Sequence, residues 1–190
     1  MKKNLILLLI LIILLLQTGC LYAVRYDGPY RGKVVDQVTR EPLEGVVVLG
    51  TWSVYHFGLG GGYSTYYDAR ETVTGKNGEF VIQGEGLRIL SSIKPMSFVI
   101  FKAGHTYFES HWDALKPEVY AKDELQWEGE MPVFQLKKLT TEEKKKAYGP
   151  HDPPREATFE KVKLMLMEID KNDRERGLKP RGTWQGHKIE

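Results

Sequence analysis

The chain has 190 residues, with 27 Lys and Arg, 25 Asp and Glu, one cysteine and 42% hydrophobic residues. This nearly balanced charge excludes a highly basic nucleic-acid-binding protein, and a single cysteine excludes a scaffold held by internal disulfides. Only one long apolar run is present, which excludes a membrane protein with several spans.

That apolar run consists of twelve consecutive Leu or Ile residues at positions 5–16, directly after a short cationic segment containing Lys2 and Lys3. A cationic segment, an apolar run and small residues, in that order, are typical of a secretory signal peptide, which we predict for residues 1–19. Without its two lysines the basic count falls from 27 to 25 and equals the acidic count of 25. The mature chain is therefore expected to be neutral and of single-domain size.

The residues around the only cysteine, Gln17-Thr18-Gly19-Cys20, resemble the lipobox of bacterial lipoproteins, although that family prefers Leu where Gln17 stands. The resemblance implies cleavage before Cys20 and acylation of its thiol. A diacylglycerol and an N-acyl chain anchor a protein stably, at about 0.8 kcal/mol for each buried methylene. Two alternatives stay open: an ordinary cleaved signal, and an uncleaved anchor, since residues 5–24 are long enough to span a bilayer core of about 30 Å.

The residue that follows the cysteine bears on the destination of such a lipoprotein. In Gram-negative lipoproteins, which this segment resembles, Asp at that position favours retention in the inner membrane. Here the residue is Leu21. The resemblance therefore implies an outer-membrane lipoprotein that faces the periplasm, in a cell that has an outer membrane.

Beyond the leader, short runs of Val, Ile, Tyr, Phe and Thr alternate with Gly, Pro, Asn and Asp, which is a strand-and-turn pattern. Residues 20–29 are interpreted as a tether. The Asn77-Gly78 pair predicts a tight hairpin, after which the next strand returns antiparallel. The expected fold of residues 30–139 is mainly β, an antiparallel seven-stranded β-sandwich. The predicted strands are 30–36, 44–55, 64–74, 79–83, 97–102, 107–109 and 131–139.

Several of these segments together match a family pattern. They are Gly32-Lys33-Val34-Val35-Asp36, Thr39, Pro42-Leu43, Gly45-Val46-Val47-Val48, Thr72, Thr74 and Gly78-Glu79-Phe80-Val81-Ile82. They resemble the carboxypeptidase regulatory-like domain, although Gly75 stands where that family commonly has Asp. The resemblance implies a transthyretin-like (prealbumin-like) β-sandwich of about seven strands. It implies little chemistry, because such modules accompany peptidases, receptors and surface proteins without carrying their active sites.

The segment 55–67 combines four glycines with five aromatic residues. Tyrosine rings offer flat, amphipathic contact area, so this segment is a candidate binding loop for a partner or a glycan. The alternative is a hairpin tip whose tyrosines pack on a neighbouring sheet face, since tyrosine is a common strand residue. Trp112 is a further possible stacking surface. The candidate ligand-binding residues are Trp52, Tyr55, Tyr63, Tyr66 and Tyr67.

The sequence offers little for catalysis. Its five histidines form no His-Glu-x-x-His motif or other ligand pair at helical spacing, and lipid would occupy the thiol of Cys20. We therefore predict no catalytic residue, no metal and no cofactor. One alternative is a metal site built from His105 and His111 with Glu109 or Asp113. Three charged residues of the third strand, Asp68, Arg70 and Glu71, are interpreted as a solvated face of mutually paired charges.

Residues 140–177 are predicted to form a helical extension. A short helix over 140–148 should end at Gly149-Pro150, and a longer one over 156–176 carries apolar residues at helical spacing together with several methionines. Two interpretations of the longer helix stay open: it packs on its own sandwich, or it offers a Met-rich surface to a partner helix or to a second copy. Residues 178–190 are expected to be a flexible tail.

These observations favour a non-catalytic envelope lipoprotein, attached to the membrane by an N-terminal lipid anchor. Its sandwich would serve as an interaction or scaffolding module for an envelope protein or cell-wall partner, without nucleic acid. A carbohydrate- or small-ligand-binding lipoprotein that uses the 55–67 loop is the alternative. A metal-dependent hydrolase is the least favoured hypothesis.

Overall fold

The computed structural model describes residues 24–116, 118–120 and 124–189, so the predicted signal peptide and Cys20 lie outside the described residues. With 41% strand and 15% helix, the chain is mainly β, as predicted. The strands are β1 Val24–Asp27, β2 Tyr30–Asp36, β3 Val47–His56, β4 Tyr63–Val73, β5 Glu79–Ile82, β6 Gly86–Ile89, β7 Ser97–Phe101, β8 Phe108–His111, β9 Leu125–Glu128, β10 Met131–Leu136, β11 Thr183–Trp184 and β12 His187–Lys188. The helices are α1 Thr141–Lys146 and α2 Lys163–Glu175, with 3-10 turns at Trp112–Ala114 and Phe159–Lys161.

Two four-stranded sheets form the body of the protein. The first sheet has the order β5-β2-β10-β9 and the second has the order β4-β3-β7-β8. All seven strands expected from the sequence are present in them, and β9 is an eighth. The sheets are not wholly antiparallel, because β10 runs parallel to β2, with Phe134 opposite Val34.

The turn at Asn77-Gly78 does not form the predicted hairpin. Strand β4 pairs with β3, whereas β5 pairs with β2 in the other sheet, so the turn carries the chain from the second sheet to the first. Gly78 has a φ of +76°, and its carbonyl accepts the N–H of Val34 at 2.9 Å. A Cβ at this position would lie 2.4 Å from the carbonyl oxygen of Val34, so only glycine fits so close to β2. Crossing to the first sheet also lets Phe80 and Ile82 face the shared core.

The main core lies between the inner faces of the two sheets. Val34 and Phe134 of the first sheet meet Val48, Trp52 and Phe98 of the second sheet, and all five are buried. The rings of Phe98 and Phe134 make a T-shaped contact with centroids 5.5 Å apart, a favoured geometry for aromatic pairs. The alternation of apolar residues along the strands therefore produces a core between two layers.

Part of the expected tether is a strand. β1 pairs antiparallel with β6 in a separate two-stranded ribbon. At its end the buried carboxylate of Asp27 accepts hydrogen bonds from the Tyr30 hydroxyl, from Trp52 Nε1 at 2.9 Å and from the Glu85 N–H at 2.8 Å. Three donors offset the cost of burying this charge. They also connect the beginning of the described chain to the core.

Helix α2 packs on its own protein. Its buried side chains, among them Met165, Leu166 and Ile169, form a second core with Val47 and Leu49 on the outer face of the second sheet. The structure thus answers the question left open by the sequence, in favour of packing within the same chain. The helix begins at Lys163 and not near 156, because residues Phe159–Lys161 form a 3-10 turn. Within the described part of the chain, neither helix is long and apolar enough to cross a membrane.

The tail differs from the expected flexible segment. β11 and β12 form a short antiparallel hairpin, and Ile189 after it is buried in the second core. The carboxylate of Asp170 in α2 accepts the N–H groups of Arg181 at 3.0 Å and Gly182 at 3.2 Å. These contacts hold the tail against the helix.

Candidate functional site

Strands β3 and β4 form a hairpin that extends beyond the neighbouring strand β7 of the same sheet. They pair as far as His56 and Tyr63, whereas β7 accompanies β3 only from Val47 to Thr51. Farther along β3, the segment around residues 92–94 takes over the backbone pairing, with the Tyr55 N–H bonded to the Ser92 carbonyl at 2.9 Å. We call residues 55–63 the hairpin tip. Beyond Tyr55 it extends past the last residues of β3 that are paired on both sides.

Aromatic rings of the hairpin tip pack on one another. Tyr55 and Phe57 meet edge to face, and His56 stacks on Tyr63, each pair with centroids 4.9 Å apart. His56 Nε2 also lies 2.8 Å from Thr65 Oγ1. Phe57 is nevertheless 90% exposed, and Leu59 and Tyr63 are exposed as well. The tip therefore holds two ordered pairs of rings, one on each face of the hairpin, because successive side chains of a strand point to opposite faces.

One glycine of the tip is required by this packing. The ring of Tyr55 lies across Gly62, where a Cβ would approach the tyrosine hydroxyl oxygen to 1.7 Å. At Gly60 a Cβ would meet no atom within 4 Å. The glycine-rich run thus contains one position at which the absence of a side chain sets the orientation of a tyrosine.

Trp52 is not available to stack on a ligand. It is 1% exposed, its Nε1 donates to Asp27, and the guanidinium of Arg70 lies 5.2 Å from its ring centroid. Period-two alternation places this side chain between the sheets, and a buried indole needs an acceptor for its N–H. Trp52 is therefore a core residue and not the ligand-binding residue that the sequence predicted.

Tyr66 and Tyr67 are also apart from the tip. Tyr66 is half-buried against the second core, and burial raises the pKa of its hydroxyl, which has no hydrogen-bond partner among the described residues. Tyr67 lies at the register shift opposite Trp52 and Ser53, with the Arg88 guanidinium 5.6 Å from its ring centroid. Of the five residues predicted from the sequence, only Tyr55 and Tyr63 lie in the hairpin tip, with their side chains on opposite faces of it.

A second concave site has two tryptophans. It is a groove of about 320 Å³, which we call the tryptophan groove, and Trp127 Nε1 is buried there without a hydrogen-bond partner among the described residues. The sequence indicated Trp112 but not Trp127, because the two are fifteen positions apart and meet only in the folded protein. The groove is lined by Pro29, Arg31, Trp112, Trp127, Glu130, Met131 and Pro132.

The largest cleft among those described, about 690 Å³, lies between β4, β5 and the beginning of α2. Its charges are largely paired. Asp68 forms ion pairs with Lys161 and, at 3.1 Å, with Arg70. Arg70 also donates to the carbonyls of Gln83 at 2.6 Å and Gly84 at 2.8 Å. The mutual pairing that was predicted for Asp68 and Arg70 is therefore present.

Glu71 has a different role from the predicted one. Its carboxylate accepts the N–H groups of Leu164 at 2.9 Å and Met165 at 2.6 Å, in the first turn of α2. The residue before this helix is Val162, whose apolar side chain cannot cap it. Burial raises the pKa of Glu71 to about 7, although the two N–H bonds oppose the shift. Glu71 thus caps the helix from a neighbouring strand.

The histidines of the alternative metal site do not converge. His105 Nδ1 lies 3.0 Å from the Ala103 carbonyl, and His111 Nδ1 lies 2.8 Å from Ser97 Oγ. Burial lowers the pKa of His105. Within residues 24–116, 118–120 and 124–189, no group of three or more His, Cys, Asp or Glu side chains is placed to hold a metal ion.

Comparison of this chain with protein families, with curated proteins and with solved structures gives no match. Its function is therefore inferred from its own residues and geometry.

Proposed function

We propose that this protein is a non-catalytic lipoprotein of the cell envelope, anchored through Cys20 to the outer membrane and facing the periplasm. Its β-sandwich is a scaffold that presents the hairpin tip to an envelope protein. The observation that carries this proposal is the pair of rings Tyr55 and Phe57 on one face of the tip, in which Phe57 is 90% exposed.

The placement of the motif residues supports a transthyretin-like sandwich of the carboxypeptidase regulatory-like type. Thr74 Oγ1 donates to the Leu43 carbonyl at 2.6 Å and accepts the Val46 N–H at 2.9 Å, which joins two motif segments. Gly78 shapes the turn between the sheets. These roles are structural, in agreement with a module that lacks an active site.

The tip has the properties of a protein-recognition surface. Aromatic side chains dominate the energy of protein interfaces, because they bury a large area at a small cost in conformational entropy. The contacts of Tyr55 with Phe57 and of His56 with Tyr63 already order these rings, which lowers the cost of binding. A rigid hairpin positions the rings more accurately than a mobile loop would.

Photo-crosslinking in the native envelope tests this proposal. The full chain carries benzoyl-phenylalanine at position 57, and the matched control carries it at Tyr148, another exposed aromatic residue, outside the tip. We expect one protein to be captured from position 57 and not from position 148. Equal capture from both positions, or recovery of uncrosslinked protein only, contradicts the proposal.

A glycan- or small-ligand-binding function is a second candidate, favoured by the tryptophan groove. Two indoles and two prolines form a concave surface on which a sugar ring can stack. Titration with soluble peptidoglycan fragments, followed by tryptophan fluorescence, tests it with Trp127→Phe as the matched variant. A response that survives the substitution, or no response, removes the groove from consideration.

A further inference from the structure

The ribbon of β1 and β6 has an apolar outer face. Val24 lies opposite Ile89, and Tyr26 opposite Leu87, so these four side chains share one face, which we call the ribbon face. They are between 53% and 71% exposed, and Leu90 next to them is also exposed. Contiguous exposed apolar side chains mark a surface that meets another apolar phase.

The opposite face of the ribbon is polar and packs on the body. Arg25 donates to the Ile93 carbonyl, Arg88 pairs with Glu85, and Asp27 is buried. This pattern is the reverse of the usual one, in which the polar face of an antiparallel pair faces water. The outward apolar face is therefore not explained by packing within the protein.

The position of the ribbon along the chain indicates what covers this face. Val24 follows Cys20 by four residues, so their Cα atoms are at most about 14 Å apart. Given the proposed acylation of Cys20, on which this inference rests, the ribbon lies beside the bilayer surface. We infer that the ribbon face rests in the headgroup and acyl boundary of the membrane that holds the lipid anchor. Tyrosine at position 26 suits this boundary, where aromatic residues are enriched.

A second copy of the chain is a poorer occupant. The ribbon face is about 13 Å long and 10 Å wide, given two strands of four residues each. A standard interface buries about 800 Å² on each partner, several times this footprint. A membrane needs no such area, because the lipid anchor already holds the ribbon close to it and supplies a high effective concentration.

Contact with the membrane at this face also orients the proposed binding site. Arg88 of the ribbon lies over Tyr67 of β4. Shortly after the ribbon in the chain, the Ser92 carbonyl accepts the N–H of Tyr55 at the base of the hairpin tip. The ribbon and the outer half of the hairpin are thus neighbours. The tip then meets its partner close to the membrane surface.

Depth-dependent quenching tests the inference on the mature, lipidated chain. Lipid occupies the thiol of Cys20, the only natural cysteine, so an introduced cysteine is the only free thiol. Leu87→Cys carries the fluorophore NBD. The control is Val38→Cys, which is also exposed and follows the end of β2 that is farther along the chain from the ribbon. The proteins are reconstituted in vesicles of phosphatidylethanolamine and phosphatidylglycerol that contain nitroxide-labelled lipid.

We expect at least threefold stronger quenching at position 87 than at position 38, together with a blue-shifted emission. The additional changes Tyr26→Asp and Ile89→Asp should abolish the quenching while the protein still floats with the vesicles. Equal quenching at the two positions in vesicle-bound protein overturns the membrane contact of the ribbon face and leaves the lipid anchor unaffected. Loss of flotation in the unmodified chain overturns the lipid anchor itself. In a separate sample the Leu87→Cys chain is left unlabelled; its oxidation to a disulfide-linked dimer on the vesicles, without quenching in the labelled sample, identifies a second copy as the occupant and also overturns the inference.

Discussion

The carboxylate of Glu71 on β4 accepts the backbone N–H of Met165 at 2.6 Å, in the first turn of α2. The two residues are 94 positions apart, so this cap connects the helix to the edge of the second sheet. Carboxylates stabilise helix N-termini because they satisfy free N–H groups and complement the helix dipole. The same bond explains why α2 begins beside β4 although no capping residue precedes it.

The first prediction concerns pH. Burial raises the pKa of Glu71 from its ordinary value of 4.5 to about 7, so the folded state binds this proton more tightly than the unfolded chain does. The stability that this group contributes is complete below pH 4.5 and is lost as the pH rises through 7. Urea unfolding between pH 4 and 8 measures it, and Glu71→Gln should flatten the curve because an amide does not titrate, although its single oxygen can accept only one of the two N–H groups. An unchanged pH dependence in this variant, with exposed Glu118→Gln as the control, contradicts the prediction.

The second prediction concerns Asp27. Asp27→Ala leaves the Tyr30 hydroxyl, Trp52 Nε1 and the Glu85 N–H without their shared acceptor. Unsatisfied buried donors cost about 1–3 kcal/mol each, so the free energy of unfolding should fall by at least about 2 kcal/mol. Urea unfolding followed by tryptophan fluorescence measures this loss. Asp113→Ala, on an exposed 3-10 turn, should change the stability by less than about 0.5 kcal/mol. A similar loss of unfolding free energy in the two variants would show that the three hydrogen bonds to Asp27 do not stabilise the fold.

The strands were predictable because their information is local. Alternating apolar residues mark β2, β3 and β10 within a few residues of their observed ends, since one face of each strand must be buried. Pairing partners are not local. Asn77-Gly78 is a normal hairpin signal, yet the burial of Phe80 against the core led β5 to the other sheet.

The candidate site could be predicted only in part, for the same reason. Composition alone indicated the hairpin tip with Tyr55 and Tyr63, which are close along the chain and in space. The burial of Trp52 depends on Asp27, twenty-five positions away, and the helix cap of Glu71 depends on a helix ninety-four positions away. No pattern within β3 or β4 contains those partners, so their roles appear only in the folded structure.

The third prediction concerns the geometry of the tip. Gly62→Ala places a methyl group where the Tyr55 hydroxyl lies, so the ring must move and its contact with Phe57 is lost. We expect a lower yield of the partner crosslink from position 57, with the free energy of unfolding changed by less than about 0.5 kcal/mol, because the tip is exposed. Gly60→Ala is the matched control, since its methyl group meets no atom within 4 Å. If both variants keep the full crosslink yield, the orientation of Tyr55 does not contribute to partner binding.

The last prediction tests whether α2 belongs to the folded unit. Leu166 is fully buried in the second core, whereas Leu164 on the same helix is 38% exposed. Leu166→Ala removes buried methyl groups and leaves a cavity beneath the helix, which should lower the free energy of unfolding by about 2–5 kcal/mol. Leu164→Ala should cost less than about 1 kcal/mol, because the exposed part of its side chain loses little burial on truncation. If α2 docked only on a partner, both leucines would be dispensable in the isolated chain and the two unfolding curves would coincide with that of the unmodified protein.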